Sequence, residues 1–539
     1  SNIALVQFLG LVLAGVVSIV VFRIGNPYAF EGPGFFGLIP SERYLKTLSQ
    51  AQFYVSGDYE SPPNWQWVNR AGYLFPLSNM VLWGMGVALG ITAWLSVIWS
   101  LWRLIRGKAG AFSNIALLAW IIAYFAFVGN LWVMSMRYYL PLYPALVVIA
   151  AWGLSELLRR ASAKNVALWR TLVAAGILVG VTSFTVLWAV MFTNIYREPA
   201  TFVQATYYAM ERIEGDFWMQ RAGASADEPI INVSFPNEFK DNRFVPIQNW
   251  ISNDASRFNL NFPSLARFRS HADGVITTVT ATRLMAVDSS FPHTLRIAVL
   301  DPETSEELTG ATIRSNFSRP ENTLGQTYAI NFETPLQVVA GKDYLFRVEL
   351  LEGSTVLSIG AVVGSEQPWD EPVPTAVCKL PFGMTLKDDL SAGMFAREDC
   401  QRVSIWNDQI HVHNLDIAAE DIPEKRDRWI TMLDQSDYIY VNSNRRYDSQ
   451  TRLPVRFPLT ERYYEVLFSG ELGFDLVATF QETFELGPIK ISDQYLPNYD
   501  APAWLNEYEA EEAFTVYDHP VIFLFKKRPD YTSENTQAI

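Results

Sequence analysis

Five long apolar runs, all within the first 195 residues, constrain this chain more than anything else in it. They lie at approximately Ile3–Phe22, Leu77–Leu101, Phe112–Val133, Tyr138–Leu157 and Leu172–Thr193. Each is near the roughly 20 residues that a helix needs to cross the hydrocarbon of a bilayer. The sequence therefore predicts a multi-pass α-helical membrane domain over 1–196. Two connections are short and basic. RLIRGKAG carries Arg103, Arg106 and Lys108; LLRRASAKN carries Arg159, Arg160 and Lys164. By the positive-inside rule both are cytoplasmic. Alternation then puts the loop 24–76, the turn Ser135–Arg137 and everything after Tyr196 outside. The expected location is the plasma membrane, with an extracytoplasmic C-terminal domain.

Met136–Leu154, MRYYLPLYPALVVIAAWGL, opens with Arg137, Tyr138 and Tyr139 and then runs on without charge. That is the profile of a helix entering the bilayer through an aromatic interface. Pro141 and Pro144 fall near its start, where a missing N–H costs least. An anionic ligand held at the membrane surface would meet Arg137 there. The outer loop is aromatic and proline-rich, and its Trp65, Trp67, Tyr73 and Phe75 suit an interfacial belt. Ser41–Gln52 reads as a short surface helix. Gly84, Gly86 and Gly90 in WGMGVALG read as small residues that let helices approach closely.

The remainder is soluble in character and holds most of the acid behind the formal net charge of -14. No basic stripe exists to neutralise phosphates, which excludes nucleic acid as a partner. Residues 200–265 and 366–530 read as an extracytoplasmic α/β domain. Its marks are a helix at Phe202–Ile213, a strand at Pro229–Val233, helices at Pro423–Leu433 and Thr460–Leu467, and strands at Asp437–Asn442, Phe474–Phe480 and Val521–Phe525. Residues 270–365 change to alternating, β-branched runs broken by turns, as in an inserted antiparallel β-sandwich. The only cysteines are Cys378 and Cys400. In an oxidising compartment they would form a disulfide worth on the order of 3 kcal/mol; two unrelated buried thiols are the alternative.

Few motifs carry chemistry. His411 and His413 share a strand face but lack a third ligand nearby, so no metal site is expected. His519 reads as a locally bonded turn residue. No nucleophile elbow or glycine-rich phosphate loop occurs, and no cofactor or divalent metal is required by any motif. Arg445, Arg446, Arg452 and Arg456 crowd into the loop after a strand, at the sheet edge where α/β folds bind ligands. A solvated loop salt-bridged to nearby acids is the competing reading.

The segment 136–154 resembles the RY-LP-YP-L block of polyprenyl-phosphate-sugar-dependent glycosyltransferases. These form the C-type membrane superfamily, with its protein O-mannosyltransferase and aminoarabinose-transferase types. FRIGNPYAF (22–30), LSNMVLWGMGVALG (77–90), the run 438–480 and the run 511–527 are similar to blocks of bacterial members of that group. The resemblance covers approximately 1–195 and 410–527 and leaves the central β region unexplained. It implies transfer of a sugar from a polyprenyl phosphate to an extracytoplasmic glycan or protein acceptor. Membrane lipid and the polyprenyl-phosphate sugar are then the partners. Such chemistry needs a carboxylate base for the acceptor hydroxyl and cations for the leaving phosphate. Arg137, Tyr138, Tyr139, Arg70 and Arg43 are the implied lipid-phosphate or substrate-binding residues. Interfacial anchoring is the plainer role for Arg137. The family's catalytic acid lies in a first outer loop with no counterpart here, so no catalytic residue is assigned. The chain, which begins at Ser1 with no signal pattern, is expected to be the C-terminal part of such an enzyme. Two rivals stand beside it. One is a non-enzymatic envelope protein whose outer domain binds glycan or protein. The other is a transporter subunit, disfavoured because no charge lies well inside a span.

Overall fold

A computed structural model of the chain describes residues 2–31, 37–163, 166–225, 228–233, 235, 255–320, 324–366, 410–493 and 505–539. Cys378 and Cys400, and with them the expected disulfide, lie outside the described residues. The chain forms two compact units, Ser1–Thr185 and Val186–Ile539.

In the first unit five helices are long and apolar enough to cross a membrane, at Phe8–Gly25, Val87–Ile105, Ala111–Val128, Met136–Ala161 and Leu168–Asn194. The helices are α1 (Asn2–Gly25), α2 (Glu42–Ser56), α3 (Val87–Ile105), α4 (Ile115–Val128), α5 (Tyr143–Ala161) and α6 (Leu168–Asn194). The expected surface helix is α2. Ser41 caps it by accepting from Tyr44 N–H at 3.1 Å, and Gly57, at φ 94, ends it against the Trp132 ring. Proline placement near the start of α5 is as expected: Met136–Leu142 is a 3₁₀ turn containing Pro141, and Pro144 sits in the first turn of α5.

The second span departs from expectation. Its regular helix starts at Val87, not Leu77. Leu74–Asn79 is a separate helical turn, Met80–Gly84 a π-helical turn, and Gly86 takes φ 75. A Cβ on Gly90 would lie 2.6 Å from Val81 Cα, and one on Gly84 would strike the Tyr143 hydroxyl. The glycines do permit close approach, but Gly90 admits its own preceding turn and Gly86 supplies the bend. Part of this irregular stretch is buried, with Met80 and Asn79 at 0 % and 1 % exposure, and its backbone stays hydrogen-bonded internally, Leu77 N–H to Tyr73 O and Met85 N–H to Met80 O at 3.0 Å each, as an apolar setting requires. Met80, Ala93, Val97, Leu118, Ile121, Leu146 and Ile149 form the unit's core. Where α3 and α5 end, Arg103 reaches Glu156 at 3.2 Å, and Glu156 is also held by Arg159 at 2.7 Å and Arg160 at 2.8 Å.

The second unit contains α7 (Thr201–Arg212), a β-rich region and a mixed sheet. The β-rich region has two antiparallel sheets. Strands β1 (Phe217–Met219), β2 (Ile231–Val233), β3 (Ser256–Phe258), β5 (Gly274–Ala286), β8 (Gln326–Val338) and β10 (Val356–Ser358) form one; β4 (Ser264–Arg269), β6 (His293–Leu300), β7 (Glu307–Ser315) and β9 (Asp343–Glu352) form the other. Phe217, Val279, Ile297, Phe346 and Val348, drawn from both sheets, belong to one core. The expected boundary at 270 is therefore too late. β1 and β2, expected in the α/β domain with Pro229–Val233 as a crossover strand, pair antiparallel with each other, and β1 pairs with β5.

The run 354–363 also divides. Val356–Ser358 ends the antiparallel sheet, whereas β11 (Val362–Ser365) enters the mixed one. That sheet runs β12 (His411–Asn414), β11, β13 (Tyr438–Val441), β15 (Ile522–Lys527), β14 (Phe474–Phe480). β11 is parallel to β12 and β13, and β15 is antiparallel to both its neighbours. Helices α8 (Pro423–Gln435) and α9 (Pro458–Ser469) share a core with it through Trp429, Leu433, Tyr463 and Leu467, and Gly470 at φ 80 closes α9.

Candidate functional site

Two places concentrate functional chemistry, one in each unit. In the first, Trp67, Phe75, Val133 and Met134 make a small buried cluster, with Val55 and Tyr138 packed against it. Two of the expected cations stand on its rings. The Arg70 guanidinium lies 4.5 Å from the Phe75 ring centre and the Arg137 guanidinium 5.3 Å from that of Tyr138. Arg137 is exposed and has no carboxylate within ion-pair distance among the described residues.

Tyr139 plays a different part from the one expected. It is 1 % exposed, belongs to the helix core, and its hydroxyl donates to Val128 O at 3.3 Å, so it packs rather than binds. Arg43 is exposed at the start of α2, while Val55 near the other end of that helix touches the cluster. At 1.5 Å per residue the two are about 18 Å apart, which separates Arg43 from the other cations. The nearby loop acids have structural work: Glu31 accepts from Glu42 N–H at 2.9 Å and Asp58 from the Ser56 hydroxyl at 2.7 Å.

In the second unit, Glu366 follows β11, and Asn442–Arg446 follow β13, at the C-terminal ends of parallel strands. This is the edge where open α/β sheets hold ligands. The loop is not solvated: Asn442, Ser443, Asn444 and Arg446 are 0–4 % exposed. Arg445 Nε binds Glu512 at 2.7 Å, Arg452 binds Asp448 at 2.8 Å and Arg456 binds Glu420 at 2.6 Å. The salt bridges of the competing reading are present: that of Arg445 is buried, that of Arg452 half-buried, and that of Arg456 at the surface. Tyr447 and Tyr508 share a hydrogen bond at 2.5 Å.

Glu366 is 1 % exposed, and among the described residues neither carboxylate oxygen has an aligned hydrogen bond. Burial pushes its pKa up to about 8, partly offset by the Tyr464 hydroxyl and Arg446 beside it. Burial likewise pushes Glu512 up to about 7 against the pull of Arg445. Arg446 lies close enough to both carboxyl groups to couple them into one cluster. Nothing in GSEQPW marks Glu366; only the topology buries it.

The histidines are structural. His413 Nε2 donates to the Gln435 amide oxygen at 3.1 Å, and burial pulls its pKa down to about 4. For His519 burial also acts downward, but Asp518 at 2.5 Å and Glu507 at 3.3 Å prevail and hold its pKa near 9. No group of metal-ligating residues occurs among the described residues. Comparison with protein-family models finds none that matches the chain, and comparison with curated proteins finds no match.

Proposed function

We propose that this integral-membrane protein carries the lipid-phosphate-binding part of a polyprenyl-phosphate-sugar-dependent glycosyltransferase. It would reside in the plasma membrane with its β-rich and mixed-sheet unit outside. One observation supports this most: Arg137, exposed and without a carboxylate partner among the described residues, stands on Tyr138 where an otherwise apolar helix begins. A guanidinium in that setting can grip a phosphate through two N–H groups while the helix beyond it accommodates the prenyl chain. Arg70, on the Phe75 ring of the same cluster, adds a second positive charge. In the reaction these cations would stabilise negative charge growing on the lipid phosphate as the sugar leaves. Tyr139 would fix the helix start from behind.

The test is binding of undecaprenyl phosphate to the purified full chain in detergent, measured by native mass spectrometry. Arg137→Ala should weaken binding about tenfold or more, Arg70→Ala less, and Arg43→Ala hardly at all. Equal binding by wild type and Arg137→Ala, or equal binding of the phosphate-free prenol, would overturn the proposal.

A further inference from the structure

The second unit holds a cleft of about 460 Å³ between the mixed sheet with α7 and the β-rich region. That volume is in the range of small-molecule sites, and a crevice between sub-structures is a usual place for one. Its walls are unlike a packing defect. From the β-rich side comes Trp218, the middle residue of β1. Its neighbours Phe217 and Met219 are 0 % and 1 % exposed in the core, so strand alternation turns Trp218 out into the cleft. From α7 come Tyr208, packed on Phe480 at 5.4 Å, and Arg212, whose guanidinium lies 5.1 Å from the Tyr208 ring centre. Arg212 has no carboxylate within ion-pair distance among the described residues.

The acceptors are set in place. Glu214 takes the Tyr438 hydroxyl at 2.8 Å and the Lys526 ammonium at 3.3 Å, which fixes the direction of its carboxylate. Gln220 uses its amide N–H₂ on Ser225 O at 3.0 Å, which leaves its carbonyl oxygen as the acceptor. Four charged groups line the cleft, Arg212, Lys526, Glu214 and Glu228; Glu214 is paired with Lys526 and Glu228 with Arg221 outside the lining, so among the described residues Arg212 keeps the one open charge.

These observations narrow the ligand. The two carboxylates in the lining weigh against an anion beside Arg212, and Arg212 with Lys526 weighs against a cation, which favours a neutral ligand. The Trp218 ring stands in the same lining as fixed donors and acceptors, so the ligand presents an apolar face edged by hydrogen-bonding groups that both donate and accept. A pyranose fits this description: its C–H face suits an indole or phenol ring, and its hydroxyls suit carboxylate, amide and guanidinium. We propose that this cleft, centred on Trp218, Arg212 and Glu214, is a binding site for a neutral saccharide of one or two units. It does not depend on the lipid-phosphate site, because its residues and its test are separate.

The experiment uses the full chain in detergent on an array of neutral, sialylated and sulfated oligosaccharides, followed by titration with the best neutral disaccharide. Neutral saccharides should be retained and charged ones not. Trp218→Ala should weaken binding at least about tenfold, and Trp218→Phe should recover most of it. Arg212→Gln, a substitution on a half-buried surface that leaves the core intact, should also weaken it several-fold and serves where Trp218→Ala fails to fold. The proposal is overturned if no neutral saccharide is retained, if sulfated or sialylated ones bind equally well, or if folded variants bind as the wild type does. None of these outcomes bears on undecaprenyl phosphate binding at Arg137, so the two proposals can fail separately.

Discussion

Replacing Glu366 with glutamine should stabilise the mixed-sheet region at and above neutral pH and remove part of its pH dependence. The carboxyl group sits at the end of β11, 1 % exposed and, among the described residues, without an aligned hydrogen bond to either oxygen. Burial raises its pKa from the ordinary 4.5 to about 8. Between those values the folded chain holds more protons at this site than the unfolded chain, so stability falls as pH rises. The loss starts near pH 4.5 and is complete near pH 8. At about 1.4 kcal/mol per unit the whole span amounts to about 5 kcal/mol as an upper bound, of which about 3 kcal/mol is lost by pH 7. Glutamine keeps the shape and cannot ionise. Glu512 and His519, with pKa values raised to about 7 and 9, tilt stability the same way, so the readout is the difference between variant and wild type. The assay is hydrogen exchange of peptides covering β11 and β13 in the detergent-solubilised full chain, corrected for intrinsic rates, from pH 4.5 to 8. Protection in Glu366→Gln should pull ahead of wild type progressively over that window. Parallel curves would refute the reasoning, because they would mean that the carboxyl group already ionises at its ordinary pKa in the folded chain.

Two substitutions probe the architecture. Gly90→Ala places a Cβ 2.6 Å from Val81 Cα and 2.7 Å from Val81 O, backbone atoms that cannot rotate away, so it should cost about 2 kcal/mol or more; an unchanged Tm in a detergent melt would refute the tight bend. Lys425→Met should cost about 3–5 kcal/mol. The ammonium is 1 % exposed and donates to Ile417 O at 2.9 Å, Ala419 O at 2.7 Å, Asp421 at 2.6 Å and the Thr460 hydroxyl at 3.0 Å, so its loss leaves the buried Asp421 carboxylate without this cation, held by the Thr460 N–H and hydroxyl at 2.9 Å each. A denaturant midpoint for α8 and α9 equal to that of wild type would contradict it.

The apolar helices were legible because length and lack of charge are nearly sufficient to define such an element. The bend at Gly84–Gly86 was not, since glycine answers equally to close approach and to positive φ, and only the Val81 contact at Gly90 distinguishes the two. Strands of 7–13 residues such as β5, β8 and β14 showed themselves by alternation. β1, three residues long, is too short to display a period, and its partner β5 lies far along the chain; β2 was read as a strand at Pro229–Val233, but not its antiparallel pairing with β1. Lys425 hid in PEKRDRW, which reads as a solvated helix start. Its spacing of four from Asp421 was visible, but that spacing is ordinary on any helix. The loop after β13 was recognised from its arginines, whereas Glu366 and Glu512 were not. Their roles come from strand order and from a pairing 67 positions apart.

The state of each cation separates structure from function more sharply than its position in the sequence does. Arg103, Lys425 and Arg445 are buried and end on carboxylates, at 3.2, 2.6 and 2.7 Å. A buried charge so paired holds elements together and has little left to offer a ligand. Arg137 and Arg212 are different. Each lies over a tyrosine ring, at 5.3 and 5.1 Å, and among the described residues neither has a carboxylate partner. The ring orients the guanidinium without neutralising it and leaves its N–H fork open. At Arg137, next to a helix uncharged as far as Ser155, the open fork suits a phosphate carried on a lipid. At Arg212 the carboxylates of Glu214 and Glu228, though paired with Lys526 and Arg221, stand in the same lining, which favours hydroxyl groups over an anion at that fork. One kind of side-chain arrangement thus points to two ligands of different charge, and the neighbouring carboxylates decide between them.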